Sequence, residues 1–270
     1  AVLHETIRIQ GDHELERSIA ALWWSALAAG LTMGLSLMAM GLFRSRLGPS
    51  DESHVIASLG YSAGFLAVIL ARQQLFTENT LTAVLPVMSK LTLNNVGRLL
   101  RLWGVVLCGN LAGTLLVAWV MLRLPIFDTQ TDLAFLEIGR KVMENDVSKM
   151  LAKGIVSGWM IATMVWMIAS MESAKIAIIV MITYLMALGD FTHIVVGSVE
   201  VSYLVYAGEV SWGDFWLLFA GPTLAGNIIG GSFIFALISH AQIRSERDVI
   251  AKRERDKHKL LEELRRNRKD

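Results

Sequence analysis

The stretch GDFTHIVVG, residues 189–197, places an acid and an imidazole in a long apolar run. Asp190 and His193 are the acidic and imidazole side chains between Ile176 and Val199. Ionisable groups are costly in hydrocarbon, and inside a membrane protein they usually mark an ion pathway, a proton relay or a ligand site. The surrounding residues must therefore explain what these two side chains do and how they are held.

His193 has two interpretations. Burial favours the neutral imidazole, which still donates one N–H to an anion. Proton transfer from the ring would let a weak acid cross an apolar constriction as a neutral molecule, without the cost of moving an ion through hydrocarbon. Alternatively, a neighbouring helix satisfies the ring and its role is structural. The repeat and the motif described below favour the first interpretation.

Asp190 and Arg72 also allow several roles. Asp190 either caps a broken helix, because Asp is a strong N-cap residue, or pairs with Arg72. Direct contact between Asp190 and a substrate is the third alternative. Arg72 either extends its head group to the membrane interface, pairs inside the protein, or attracts anions.

The composition indicates a membrane protein. Hydrophobic residues make up 54% of the 270 residues, and the mean hydropathy is +0.50, against about 45–50% apolar residues in soluble domains. The net charge of +1 provides no basic field for nucleic acid. The single cysteine, Cys108, excludes an intrachain disulfide framework. The histidines show no metal-ligand spacing and no Gly-rich phosphate loop is present, so we expect neither a metal nor a cofactor.

Six segments are long and apolar enough to cross a bilayer, which takes about 20 mostly apolar residues. Gly, Ala and Ser are frequent in them, and small residues let helices approach closely in lipid. A soluble bundle with buried helices is disfavoured because the runs are too long and too numerous. The predicted spans are Ala20–Phe43, Val55–Leu75, Leu99–Leu122, Gly154–Met171, Ile176–Val199 and Phe215–Ala241.

The distribution of Lys and Arg predicts that both termini are cytoplasmic. Eleven basic residues follow Ala241, and an even number of spans returns the chain to the side on which it began. The opposite side receives a mixed joint, residues 123–153, and an acidic joint with Glu200, Glu209 and Asp214.

Three regions follow from this topology. Residues 1–17 form an N-terminal cytoplasmic segment, residues 18–243 a six-helix membrane channel domain, and residues 244–270 a charged cytoplasmic C-terminal helix. That helix either bundles with other copies or binds a partner, or it lies solvated against anionic lipids.

The two halves of the chain carry matching motifs. LFT (75–77) ends span two and DFTH (190–193) lies in span five, while GNLAG (109–113) in span three matches GNIIG (226–230) in span six. The spacing from Thr77 to Asn110 is 33 residues, and from Thr192 to Asn227 it is 35. Matched motifs in the same order indicate a duplication. With three spans in each half, the second copy must be inverted, and the interrupted spans of such a repeat mark a binding site at the membrane midplane.

The two GNxxG motifs have the small-xxx-small spacing of a tight helix contact. They therefore predict close packing of span three and of span six against a neighbouring helix. The residues assigned to this packing are Gly109, Asn110 and Gly113 in span three, and Gly226, Asn227 and Gly230 in span six.

These motifs together make the chain similar to the formate/nitrite transporter family. The likeness covers all six spans, from about residue 18 to residue 243, through LFT, FTH, GNLAG and GPTLAGNIIGG. The resemblance implies an all-α, aquaporin-like membrane protein built from two inverted three-helix repeats, with spans two and five broken. It further implies a homopentamer in the bacterial inner membrane, with a pore in each protomer that conducts small monovalent anions of weak acids.

The resemblance also assigns residues to the pore. A histidine and a threonine face each other at its centre in the family, and the motifs place them at His193 and Thr77. Bulky apolar constrictions lie above and below that pair, and a basic residue lies in the outer vestibule, for which Lys141 is the best match. The constriction positions in this sequence are Tyr61, Phe65, Leu75, Phe76 and Met186.

The chain departs from the family pattern at four positions. Gln74 stands where an acidic residue is common, Thr192 where a glutamate precedes the histidine, Gly158 where span four has a pore-lining asparagine, and Arg72 where small residues are usual. We expect these changes to lie in or near the pore and to alter the charge around His193.

Three functions remain open at this point. The leading hypothesis is a channel or proton-coupled carrier for small monovalent anions, with membrane lipids and other copies of the chain as partners. The alternatives are a pore for neutral solutes such as water, and a non-transporting scaffold that acts through the charged tail. An enzyme is disfavoured, because the spans contain no HExxH, no GxSxG and no paired catalytic carboxylates.

Overall fold

A computed structural model of the chain describes residues 2–48 and 50–236, together with residues 238, 239, 241, 242, 245 and 255. All the regular elements of the described part are helices, as expected for an all-α membrane protein. The predicted tail helix at 244–270 lies outside the described residues, apart from residues 245 and 255. The helices are α1 (Val2–Glu16), α2 (Ile19–Leu47), α3 (Asp51–Leu70), α4 (Phe76–Thr82), α5 (Val84–Ser89), α6 (Leu93–Arg123), α7 (Thr129–Met143), α8 (Val147–Ser170), α9 (Lys175–Leu188), α10 (Ile194–Ala207) and α11 (Trp212–Ala236).

The six predicted spans are present, and the second and the fifth are broken. Helices α2, α3, α6, α8 and α11 are each long and apolar enough to cross a membrane. The chain leaves the helix after Leu70 and resumes with α4 at Phe76, and in the same way it leaves after Leu188 and resumes with α10 at Ile194. Each half therefore contributes two continuous spans and one broken span, in opposite orientations, as in an aquaporin-like inverted repeat.

Two pairs of helices approach closely through glycines. Helix α2 packs along α6, where a methyl group at Gly109 would lie 2.7 Å from Ala26 Cβ and one at Gly113 would collide with the Leu27 carbonyl oxygen. Helix α8 packs along α11, where a methyl group at Gly226 would lie 2.6 Å from the Leu151 carbonyl oxygen. A methyl group at Gly230 would collide with the carbonyl oxygen of Ile155. The GNxxG glycines therefore allow the backbones to approach as the small-residue spacing predicts.

The N-terminal segment is a helix folded onto the six spans. Helix α1 packs against α4, α5 and α8, and it buries Ile7 and Leu15 completely or nearly so. The guanidinium of Arg101 in α6 donates to the carbonyl oxygen of Leu15 at 2.7 Å. The surface that carries α1 is called the α1 face below, and the opposite surface, which carries α7, the α7 face.

Helix α10 is longer than the sequence predicts. Span five was expected to end at Val199, with Glu200 in an acidic joint, but α10 continues to Ala207 and is ended by Gly208 in the left-handed conformation, at φ 84°. Glu200 is buried in the middle of the helix. Glu209 does lie beyond the span, where hydrogen bonds from the Arg140 guanidinium lower the pKa of its carboxyl below the usual range.

Substituting Gly113 with alanine tests the close helix contact. The added methyl would meet backbone atoms of α2, which cannot rotate away, so we expect a loss of about 1–3 kcal/mol of stability. Gly104→Ala in the same helix is the matched control, because a methyl group at Gly104 meets no atom within 4 Å. The measurement is the thermal unfolding midpoint in detergent, and equal midpoints for the two variants would contradict the contact.

Candidate functional site

Both broken spans stop by the same backbone closure. The Gln73 N–H donates to the Val68 carbonyl at 3.0 Å, and the Phe191 N–H donates to the Met186 carbonyl at 2.9 Å. The residue before each donor is left-handed, with φ 52° at Arg72 and 51° at Asp190. These are six-to-one closures of the Schellman type, in a conformation that non-glycine residues adopt at a cost of about 1 kcal/mol or more. The equivalent backbone at Arg72 and Asp190 relates the two breaks to each other.

Each break is held by the asparagine side chain of one GNxxG motif, and Asn110 holds the first. Asn110 Oδ1 accepts from the Phe76 N–H at 2.9 Å, and its Nδ2 donates to the carbonyl oxygens of Gln74 and Ala26, both at 2.8 Å. Both motif asparagines are fully buried. Because exposed backbone groups at membrane depth must find partners inside the protein, Asn110 replaces the hydrogen bonds that the interrupted helix lacks.

Asn227 does the same in the second half. Its Oδ1 accepts from the Ile194 N–H at 2.9 Å, and its Nδ2 donates to the carbonyl oxygens of Thr192 at 3.2 Å and Gly154 at 2.9 Å. The Ser157 hydroxyl also donates to the Thr192 carbonyl. The sequence interpretation assigned both asparagines to helix packing alone and missed this role.

These hydrogen bonds correct the register of the repeat. Phe76 and Ile194 hold equivalent positions, so His193 corresponds to Leu75, and both are the N-cap residues of the helices that follow. The predicted match between LFT and DFTH, which aligned Thr77 with Thr192, is therefore out of register. The shared Phe and Thr of the two motifs do not mark equivalent positions. What the two halves repeat at the break is the position of the N–H that the asparagine accepts from, not the residue type.

The structure brings His193 and Thr77 together. His193 Nε2 lies 2.8 Å from Thr77 Oγ1, and both side chains are buried. His193 Nδ1 accepts from the N–H groups of Val195 and Val196, both at 3.3 Å, as the N-cap of α10. Because Nδ1 is an acceptor there, the proton of a neutral ring is on Nε2, which donates to the Thr77 hydroxyl oxygen. The Phe65 ring packs edge-on against the imidazole, with centroids 5.1 Å apart.

Two cavities approach this pair from opposite faces. The α7 cavity opens at the α7 face and reaches His193. The α1 cavity opens at the α1 face and reaches Glu78, the residue next to Thr77. The His193–Thr77 hydrogen bond therefore lies between the inner ends of the two cavities.

Charged side chains line the α7 cavity near Asp190. Lys141 Nζ lies 3.0 Å from Asp190 Oδ2 and 3.5 Å from His54 Nε2. Asp190 therefore pairs with Lys141, so the expected capping of a broken helix and the expected pairing with Arg72 are both wrong, whereas the third alternative, contact with a substrate, stays a prediction. His193 occupies the cap position of α10, and Arg72 lies at the break of the other span, in the wall of the α1 cavity.

The α1 cavity is polar and partly closed by α1. Arg72 and Lys175 line it together with Glu78, and Gln74 Nε2 donates to Glu14 Oε2 of α1 at 2.8 Å. Within the described residues, Arg72 makes no ion pair and is exposed. Gln74, which stands where the family commonly has an acidic residue, therefore attaches the N-terminal helix to the first break.

The five predicted constriction residues are all buried. Tyr61 and Met186 line the α7 cavity, and the ring of Tyr61 contacts that of Phe65 with centroids 5.4 Å apart. Leu75 caps α4, whereas Phe76 packs edge-on against Trp103 of α6, with centroids 5.8 Å apart. The structure therefore brings Tyr61, Phe65 and Met186 close to His193 and directs Phe76 towards α6.

Two departures from the family pattern are structural. Thr192 Oγ1 donates to the Met150 carbonyl oxygen at 3.1 Å, so this hydroxyl is bonded to α8. Gly158 was expected to take a pore-lining position, but a methyl group there would lie 2.8 Å from Asn227 Cα. Gly158 instead makes room for the backbone of α11, and that expectation is wrong.

Several lining residues of the α7 cavity were missed from the sequence. Phe219 lines the α7 cavity together with Glu200, which is 6% exposed. A lone acid in the apolar stretch IVVGSVEVSYLVYA is a recognisable intramembrane signal. It was overlooked because the predicted span ended at Val199, directly before Glu200, whereas α10 continues to Ala207.

Comparison with known proteins gives a consistent relationship. A family model described as "Formate/nitrite transporter" matches residues 1–241. The inner membrane protein YfdC of Escherichia coli K12 is 56% identical over 269 residues, which cover 99% of this chain and 87% of that protein.

Two solved structures are similar in fold. One is a pentameric formate channel with formate bound, at TM-score 0.71 and 20% identity, covering 84% of this chain and 97% of the other. The second is an ion channel of the FNT family, at TM-score 0.75 and 18% identity, covering 89% and 98%. At such identities the likeness concerns the fold.

Replacing Asn227 with alanine tests how the second break is held. The change leaves the Ile194 N–H and the Thr192 carbonyl without the amide, and a buried unsatisfied polar group costs about 1–3 kcal/mol. We expect a lower unfolding midpoint and a lower yield of assembled protein on size-exclusion chromatography. Asn94→Ala, at an exposed position of α6, is the control. Wild-type stability of the Asn227 variant would show that the amide does not hold the break.

Proposed function

The chain belongs to the formate/nitrite transporter family, and on that premise we propose that it conducts small monovalent weak-acid anions past the His193–Thr77 pair. The observation that carries this proposal is the position of the pair, buried between two cavities that open at opposite faces. Formate and nitrite are the substrates that the family description and the formate-bound relative suggest.

The central pair offers a hydrogen bond to an anion without a fixed charge. Thr77 Oγ1 accepts from His193 Nε2, and within the described residues no acceptor is found for its hydroxyl hydrogen. That hydrogen can therefore be donated to a substrate oxygen. Polarisation by the imidazole strengthens such a donor, because bonds in a hydrogen-bonded chain reinforce one another.

Apolar side chains around the pair are proposed to restrict passage. Tyr61, Phe65 and Met186 would form the constriction at the inner end of the α7 cavity, and Leu75 and Phe76 would narrow the path towards the α1 cavity. An ion crosses such a region only at a high desolvation cost, whereas the protonated acid crosses at a low one. The arrangement therefore favours passage of the substrate as a neutral molecule.

The charges at the two entrances differ. In the α7 cavity Lys141 is the proposed anion-attracting residue, although its charge is offset by Asp190 at 3.0 Å. The α1 cavity is lined by two basic and three acidic side chains: Arg72, Lys175, Glu14, Glu78 and Glu172. Fixed charges in a cleft raise the local concentration of ions of opposite sign, so Arg72, which makes no ion pair within the described residues, is the proposed anion-attracting residue at the α1 face.

We further propose that the protein is a homopentamer in the inner membrane, with a pore in each protomer and membrane lipids around it. The similarity to a pentameric channel and to an inner membrane protein supports this arrangement. The excess of Lys and Arg after Ala241 supports a cytoplasmic location for both termini. The α1 cavity would then face the cytoplasm and the α7 cavity the opposite side.

Flux through proteoliposomes tests the pore. Thr77→Val removes the hydroxyl, and His193→Asn removes the imidazole while keeping a polar side chain. We expect each variant to lower formate and nitrite flux by about tenfold or more, a smaller effect than the roughly 100-fold or more that a positioned hydrogen-bonding group contributes in catalysis. Thr163→Val is the control, because Thr163 bonds within its own helix and lines neither cavity.

Water permeability is measured in the same vesicles. Anion flux that is unchanged in both variants, at two pH values, would rule out the central pair as the conduction site. Water flux in the absence of any anion flux would instead support a pore for neutral solutes.

A further inference from the structure

Glu200 is a buried acid that the function described so far does not use. It lies in the middle of α10, is 6% exposed, and lines the α7 cavity on the same side of the helix as His193 and Gly197. The spacing of seven residues from His193 corresponds to about two helical turns, or roughly 10 Å along the axis. Since α10 runs from the centre towards the α7 face, Glu200 lies between the cavity mouth and the central pair.

The side chain of Glu200 points towards His193. A methyl group at Gly197 would lie 3.9 Å from Glu200 Oε2, so the carboxyl reaches back over the preceding turn, as helical side chains do. Gly197 has no side chain to separate the two residues, and the ring of Phe219 closes the other side of this position. The carboxyl therefore faces the part of the cavity through which a substrate reaches the central pair.

Glu200 has no partner among the residues that the structure describes. It makes neither a hydrogen bond nor an ion pair with any of them. An unpaired carboxylate is costly to bury, whereas a neutral carboxylic acid is not. Burial at this depth therefore favours the protonated acid, which carries a transferable hydrogen.

Other groups at the cavity are already engaged. His193 accepts at Nδ1 and donates from Nε2 to Thr77, so a substrate finds no free ring hydrogen. Lys141, Asp190 and His54 contact one another, and Arg44 pairs with Glu137 at 3.1 Å. Tyr61 provides the remaining titratable group of the lining, a phenol. Glu200 is the carboxyl in this lining that remains available.

We propose that Glu200 is the proton donor for a weak-acid anion that enters through the α7 cavity, an inference that rests on the proposed function. The O–H bond of the Glu200 carboxyl breaks as a new O–H bond forms on the anion, giving the neutral acid and a Glu200 carboxylate. The negative charge stays on Glu200 while the neutral acid enters the constriction. A proton from the solution then restores the carboxyl through the open mouth of the cavity.

The substitution Glu200→Gln keeps the shape of the side chain and removes the transferable proton. At neutral pH we expect formate uptake into proteoliposomes to fall by about tenfold or more, the lower end of a general acid's contribution being roughly 100-fold. The deficit should shrink as the pH is lowered, because more of the formate is then already protonated in solution. Glu144→Gln, at an exposed position just after α7, is the matched control and should transport like the wild type.

Infrared spectroscopy provides a readout that does not depend on transport. At neutral pH the wild type should show the carbonyl stretching band of a protonated carboxylic acid that is absent from Glu200→Gln and present in Glu144→Gln. Addition of formate should shift this band to lower frequency, because the anion accepts a hydrogen bond from the acid.

The two measurements separate the inference from the function. Equal formate flux in wild type and Glu200→Gln at both pH values would overturn the role of Glu200 and leave the channel function intact. A wild type that moves no anion would overturn the proposed function, and the infrared band would still decide the state of Glu200. A wild-type spectrum without that band would overturn the inference in either case.

Discussion

The structure depends on how peptide groups are satisfied where two helices stop in the middle of a membrane. A helix that breaks in hydrocarbon exposes N–H and C=O groups that water cannot reach. Asn110 and Asn227 supply the missing donors and acceptors from neighbouring spans. The helix crossings follow from this requirement, because each asparagine reaches its break only if flanking glycines let the backbones come close. The breaks in turn place His193 and Thr77 between the two cavities.

The central histidine combines structure and chemistry in one ring. As the N-cap of α10 it satisfies two backbone N–H groups with Nδ1, and this contact sets the tautomer that Thr77 meets. A protonated ring would lose that cap, since Nδ1 would become a donor facing two donors. Because a protonated His193 could not cap α10, the proposed proton donor is a different group, the Glu200 carboxyl nearer the entrance.

Much of the fold could be predicted from the sequence, because span length, small-residue spacing and a repeated motif are local patterns. The motifs also predicted that His193 and Thr77 lie at the same site. The register of the repeat could not be predicted, since it is defined by which peptide group Asn110 or Asn227 bonds. The partner of Asp190 was also inaccessible: Lys141 is remote in sequence and meets it only after α7 folds across the α7 face. Glu200 was missed because an isolated acid resembles the end of an apolar span.

The left-handed residues at the two breaks have a consequence for the electrostatic potential of the chain. Arg72 and Asp190 occupy equivalent backbone positions, with φ 52° and 51°, yet one carries a positive and the other a negative side chain. Arg72 lies in the wall of the α1 cavity, whereas Asp190 is compensated by Lys141 in the other. The approximate two-fold symmetry of the backbone is therefore absent from the electrostatic potential. The energy profile along the path of an ion would therefore be asymmetric about its centre, and such asymmetry is the physical basis of rectification.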